Sequence, residues 1–237
     1  MIRHILTIIW NERRSNTWIL LEYILVFCVL WFCSDYLSGM MRTYRSDPGI
    51  DIRDTYMLRM GRIDTPEGEA EIDPYEAALT FLERVKRHPD VAHVTLGLYS
   101  IPYSGSISYT NMRPGGDNLP DSVDLSIRRR RVTSEFFDVF RITPRTGRFF
   151  HWPEESEMNV GVLSELNKGD VGLMARIPID RIRTLTDPNP NATEKDSLLG
   201  TTGRIMDALY GNYTNTLYLP LRRDQVWLNR NEIALRV

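Results

Sequence analysis

The sequence predicts an α+β protein: one N-terminal membrane helix followed by a mixed α/β domain outside the cytoplasm. Three observations carry that expectation. Residues 17–37 form an almost wholly apolar run, TWILLEYILVFCVLWFCSDYL. Residues 54–99 read as strand, helix and strand in close succession, and the remaining chain reads as short alternating strands with little helix.

The hydrophobic share of 42% over 237 residues would suit a soluble protein, but it is an average over two unlike parts. Beyond Leu37 the chain is polar and rich in Arg, Asp, Pro and Gly. A net charge of −2 supplies no global basic field that would draw the protein to nucleic acid. Cys28 and Cys33 both lie in the apolar run, which argues against a disulfide scaffold and a thiolate metal site in the rest of the chain.

From Trp18 to Cys33 the run carries a single charge, Glu22, and extending it to Leu37 brings it near the ~20 residues needed to cross a hydrocarbon core. Trp18, Tyr23, Trp31 and Tyr36 stand toward its ends, where amphipathic rings favour the headgroup layer. Arg13 and Arg14 favour a cytoplasmic N-terminal end, although Arg42 and Arg45 reduce the asymmetry. The run is long and lacks a small-residue cleavage site, so an uncleaved helix is favoured over a signal peptide. Two readings of Glu22 stay open: a place near the interface, or a polar contact with a neighbouring membrane helix. Upstream, Ile2, Ile5, Leu6 and Ile9 fall at helical spacing, which suits an amphipathic segment on the inner membrane surface or an extension of the membrane helix.

In the polar part, alternation in DTYMLRMGR predicts a strand, and TPEGEAEI a loop. The helix from Pro74 to His88 carries Asp73 as N-cap, Pro74 at its first position, Glu76 to complete a capping box, and basic residues before Pro89. Its apolar face is Tyr75, Ala78, Leu79, Leu82 and Val85. A strand follows in VAHVTLGLY, with Val94, Leu96 and Leu98 on one face. NMRPGGDNLPD reads as a loop, SVDLSIRRRRVT as a strand, SEFFDVF as a short helix capped by Ser134, and TPRTGR as a turn. MNVGVLSEL, TTGRIMDALY, NTLYLPL and NEIALRV read as further strands; Asn167 to Leu199 is left unassigned.

No residue set amounts to a catalytic, cofactor or metal site. Arg128 to Arg131 put two arginines on each face of a strand, which suits a solvated edge or intramolecular ion pairs better than a nucleic-acid groove, with an anionic lipid or a partner protein as the alternative. His88, His93 and His151 lack metal-ligand spacing, and RPGGDN lacks the Lys and Ser/Thr of a phosphate loop. Ser106, Ser134 and Ser164 stand in no nucleophile elbow. Glu154, Glu155 and Glu157 are expected to be solvated, and the triplets at Asn191 and Asn212 match a glycosylation pattern common by chance. The protein is therefore read as non-enzymatic, with no cofactor.

Several segments taken in order resemble one family. Val132, Phe136, Phe137, Gly147, Arg148, Phe149 and Phe150 match a Val, Phe-containing short helix and Gly-Arg-x-Phe turn. Val160, Val162, Leu163, Ser164 and Glu165 match an apolar strand ending in Ser-Glu; Gly203 and Asp207 match a Gly-x-x-x-Asp strand; Tyr218, Leu219 and Pro220 match an aromatic-x-Pro strand. This series is similar to the periplasmic core domain of MacB/FtsX-like ABC transporter permeases, and the N-terminal segments stand where that family has an amphipathic helix and its first membrane span. The chain departs from the pattern after Glu165, where the family has an Ala-rich helix.

The resemblance implies a porter-like α/β part containing the helix from Pro74 to His88, with an inserted, more β-rich part. It divides the chain into a cytoplasmic segment at residues 1–15, a transmembrane helix at 16–37 and a MacB-like periplasmic core domain at 38–237. It implies a permease subunit in the inner membrane, with a cytoplasmic ABC ATPase, a second permease subunit, and a periplasmic adaptor or lipoprotein as partners. In such permeases three further membrane helices follow the core domain, and the extracytoplasmic domain transmits ATP-driven motion to an envelope substrate or partner. The alternative is a single-span envelope adaptor or ligand-binding domain without transport. A membrane-anchored hydrolase is a third reading, requiring folding to gather a carboxylate or Ser/His arrangement.

Overall fold

A computed structural model describes Thr7, Trp10 and residues 13–59, 73–105, 107–116, 124–166, 179–188, 195–206, 214–226 and 231–237. The expected amphipathic segment before the apolar run, apart from Thr7 and Trp10, lies outside the described residues, as do Ser106, Asn191, Asp207 and Asn212. The chain forms two units, Met1–Ser46 and Asp47–Val237.

The described residues of the first unit include a helix, α1 (Arg13–Arg45), which continues past Leu37. Within Thr17–Arg45 an 18-residue window reaches a mean hydropathy of 2.0, and the helix is long and apolar enough to cross a membrane. None of that hydropathy window is buried against protein, so its Trp, Leu, Ile and Phe side chains face outward on every side. A helix apolar all round needs an apolar surrounding, and lipid supplies one.

The second unit has an α/β part and a β-rich part. Strands β1 (Thr55–Arg59) and β2 (His93–Leu98) both pair antiparallel with β10 (Glu232–Arg236), giving the order β1-β10-β2. Helix α2 (Pro74–Lys86) buries Ala78 and packs Tyr75, Phe81, Leu82 and Val85 against Val94, Leu96, Leu98, Ile233 and Leu235. The Asp73 carboxylate accepts the Tyr75 N–H at 2.9 Å, as an N-cap requires. Glu76, expected to complete a capping box, has its carboxylate 3.8 Å from Arg223.

Between β2 and β10 the chain leaves this small sheet and builds the β-rich part. Its strands are β3 (Tyr109–Gly116), β4 (Leu125–Val132), β5 (Pro144–Gly147), β6 (Val160–Ser164), β7 (Ile182–Thr186), β8 (Lys195–Thr202) and β9 (Thr216–Pro220). A parallel pairing of β4 with β9 closes the path β4-β3-β7-β8-β6-β9 into a ring. Met112, Leu125, Ile127, Leu163, Ile182, Leu185, Leu217 and Leu219 form one buried cluster across its strands. Side chains thus fill the space, as in other small closed sheets. A short helix, α3 (Phe136–Val139), supplies Phe136, Phe137 and Val139 to a second cluster with Phe150, Val162, Ile205 and Tyr218.

Several expectations are corrected. Asn111–Gly116, read as loop because of its Pro and Gly, is the body of β3; Pro114 sits opposite Leu185, and the register shifts at Gly115/Gly116. TPRTGR is not simply a turn, since Pro144–Gly147 adds a strand to β8. The strand expected in TTGRIMDALY instead begins at Lys195 and ends at Thr202, and the unassigned region contains β7. Ser134 does not cap α3 with its side chain, which lies 3.4 Å from Glu135; Thr133 and Ser134 receive the Phe136 and Phe137 N–H groups on their carbonyls. The arginine run is no solvated edge, because β4 is interior. It pairs with β9 along one side and with β3 and then β2 along the other.

Candidate functional site

The domain's first residues are bound into it by a knot of charges around Asp51. Gly49 takes φ +69°, and a Cβ there would collide with the Arg204 carbonyl, so the close approach requires glycine. The Asp47 carboxylate accepts the Gly49 N–H at 3.0 Å, and the Pro48 carbonyl accepts the Met206 N–H at 2.8 Å. Ile50 is buried in the cluster around Phe136, and the Asp51 N–H donates to the Phe140 carbonyl at 3.0 Å. This segment therefore joins the core by packing as well as by backbone hydrogen bonds.

Asp51 collects cations from three places in the sequence. Its carboxylate accepts the Arg53 N–H at 3.0 Å and Nε at 3.1 Å, and Arg141 Nη1 at 3.1 Å; Arg236 Nη1 lies 3.7 Å away. Arg236 is almost fully buried and donates through Nε to the Val139 carbonyl and through Nη2 to the Asp51 carbonyl, both at 2.6 Å. One guanidinium thus ties the entry segment to α3 and β10, and Val237 adds an N–H bond to the Asp54 carbonyl at 3.0 Å. Arg53's side chain, then its backbone N–H, holds the Asp51 carboxyl down to about 2. Arginine stays charged at every ordinary pH, so this knot holds and orients without a group that titrates near neutrality.

The residues singled out in the sequence fall elsewhere. Arg128 and Arg130 are buried, while Arg129 and Arg131 on the other face of β4 are half-buried; Arg130 Nη1 donates to the Ser100 carbonyl. The Ser100 and Ile101 N–H groups donate to Glu232 at 2.8 and 3.0 Å, so that turn is held from both sides. Ser164 is buried between strands, accepting the Thr216 N–H at 2.8 Å. Glu155 is not merely solvated. It accepts both Nη atoms of Arg148, at 2.6 and 2.9 Å, and the His151 N–H at 2.7 Å, and these bonds hold its carboxyl at about 2. Glu154 and Glu157 are exposed. His88 is exposed beyond the C-terminus of α2, with Nδ1 3.7 Å from Asp90. Among the described residues no three His, Cys, Asp or Glu gather around a common point.

Part of the motif set converges, while Leu163 and Leu219 belong to another buried cluster. Val132, Phe136, Phe137, Phe150, Val162 and Tyr218 share one buried cluster, and Phe149 packs on it, stacked on Phe137 at 3.8 Å. Gly147 takes φ +69° where a Cβ would strike the Leu199 carbonyl, and Arg148 turns back to Glu155. The Asp51 knot was missed in the sequence. Its only local signal is the spacing in DIRD, where a carboxylate meets the N–H two residues on.

No protein-family model and no curated protein matches the chain. Among solved structures it is similar to the extracellular domain of the noncanonic ABC-type transporter YknZ from Gram-positive bacteria, with 13% identity, TM-score 0.46, and coverage of 77% of this chain and 83% of that one. It is also similar to the periplasmic region of MacB from Actinobacillus actinomycetemcomitans, with 12% identity, TM-score 0.46, and coverage of 83% and 79%. A domain assigned to a permease protein from Porphyromonas gingivalis matches with 10% identity, TM-score 0.42, and coverage of 65% and 59%.

Proposed function

We propose that the chain is the first membrane helix and extracytoplasmic core domain of a MacB/FtsX-type ABC transporter permease subunit. The observation that carries this reading is the convergence of the resembling motifs: segments from Val132 to Tyr218, recognised separately in the sequence, meet in one aromatic cluster. The insertion of a β-rich part into a sheet carrying α2 supports it too. In this reading residues 1–15 are cytoplasmic, 16–37 span the inner membrane and 38–237 lie in the periplasm.

The domain's role is mechanical and non-catalytic. A cytoplasmic ABC ATPase drives the membrane helices of a permease dimer, and the domain passes the displacement to an envelope substrate, adaptor or lipoprotein. The Asp51 knot suits that role. A displacement of residues 47–53 meets Arg236 in β10 and Arg141 beyond α3 through short charged bonds, not through a loose tether.

The test is purification of the full-length protein from its native membrane in mild detergent. Stoichiometric recovery of an ABC ATPase with a dimeric permease is the expected outcome. Recovery of an envelope ligand with no ATPase would favour the single-span adaptor.

A further inference from the structure

Beside the Asp51 knot lies a cleft of about 600 Å³, of a size that takes a small ligand or headgroup. Its walls carry Arg53, Arg141 and Arg204 together with the carboxylates Asp47 and Asp51 and the apolar Ile52. We propose that this cleft binds the phosphodiester headgroup of an anionic phospholipid, with Arg53, Arg141 and Arg204 as its cationic rim. This proposal rests on the reading of α1 as a membrane span.

The signs of charge are arranged by depth. The Asp51 side chain is 18% exposed, whereas those of Arg53 and Arg141, which it orients, are 81% and 62% exposed. A third cation, Arg236, is buried on the inner side of the same carboxylate. One inward carboxylate therefore positions two outward guanidinium groups without cancelling both. Arg204 is 44% exposed and lies 3.6 Å from Glu165, which Arg145 also engages at 2.6 Å. Among the described residues that line the cleft, the carboxylate besides Asp51 is Asp47, which accepts the Gly49 N–H, and the field of Asp54 also reaches Arg53.

A guanidinium has five N–H donors in a planar fork, so an arginine already held by a carboxylate still has donors for a second oxyanion. Ile52 is half exposed between Asp51 and Arg53, giving the rim the apolar and cationic pairing that favours a lipid surface over a freely soluble anion. The segment also follows α1 in the chain, beginning ten residues after Leu37, where the proposed span ends.

The test is hydrogen exchange of the full-length chain in nanodiscs of phosphatidylcholine alone and with phosphatidylglycerol. The expected result is at least severalfold slower exchange of residues 47–53 and 203–206 with phosphatidylglycerol, and loss of that difference in Arg53→Gln/Arg204→Gln. Exchange in β2 and β4 reports whether the variant keeps its fold, and the wild-type lipid comparison stands without it. Equal exchange in the two lipids overturns the proposal, and so does the same protection from inorganic phosphate in phosphatidylcholine discs, which would assign the cleft to a soluble anion. Failure of the chain to insert into discs would instead overturn the membrane span.

Discussion

Asp51 is an acid made permanent by its neighbours. Its carboxyl is held at about 2, and that of Glu155 likewise, against ordinary values of 3.8 and 4.5. Between those limits the unfolded chain binds more protons than the folded one, so both groups contribute stability above about pH 4.5 that is lost as pH falls toward 2. Unfolding followed by circular dichroism from pH 2 to 7 should show stability rising to about pH 5 and then levelling from these groups. Glu155→Gln should flatten the rise, and an unchanged slope would mean that the Arg148 fork does not persist in solution. At Arg236, replacement by Met leaves the Val139 and Asp51 carbonyls without their donor. A loss of about 3 kcal/mol is expected by urea titration. None of this was legible as a site, because the knot's partners stand at positions 51, 53, 141 and 236. Only the Asp51 to Arg53 step is local enough to read.

At the scale of elements, α2 was legible and β5 was not. Asp73, Pro74 and the spacing of Tyr75, Ala78, Leu82 and Val85 state the helix through local capping and period. Pro144–Gly147 has no apolar alternation and is exposed throughout; it is a strand only because β8 offers an edge. Strand β4 combines both cases. Its alternation was readable, but its interior position was not, since four arginines usually mark a solvated face. Helix α3 is short, and the cluster it enters holds it in place. Phe137→Ala removes a ring stacked on Phe149 and edge-on to Phe150 and Tyr218, with an expected cost of about 3–5 kcal/mol in chemical denaturation. A loss below about 1 kcal/mol would show that the aromatic cluster is not tightly packed.

For the whole molecule, the division at Ser46/Asp47 makes a direct prediction. Residues 47–237 expressed alone lack Cys28 and Cys33 and should give a soluble, cysteine-free monomer. It should unfold in one transition that coincides by fluorescence and circular dichroism. Aggregation of that fragment would count against an independent domain. By itself the sequence determined the apolar helix, the capped helix α2, the strands with clear alternation, and the motif series resembling a permease domain. Each is written in neighbouring residues, through hydrophobic length, period or capping. Only the tertiary structure decided the closure of β4 onto β9, the burial of Arg128 and Arg130, the strands β5 and β7, and the meeting of Asp51 with Arg141 and Arg236. Those depend on pairing and charge contacts between residues far apart in the chain, where local propensity carries no information about which partner arrives.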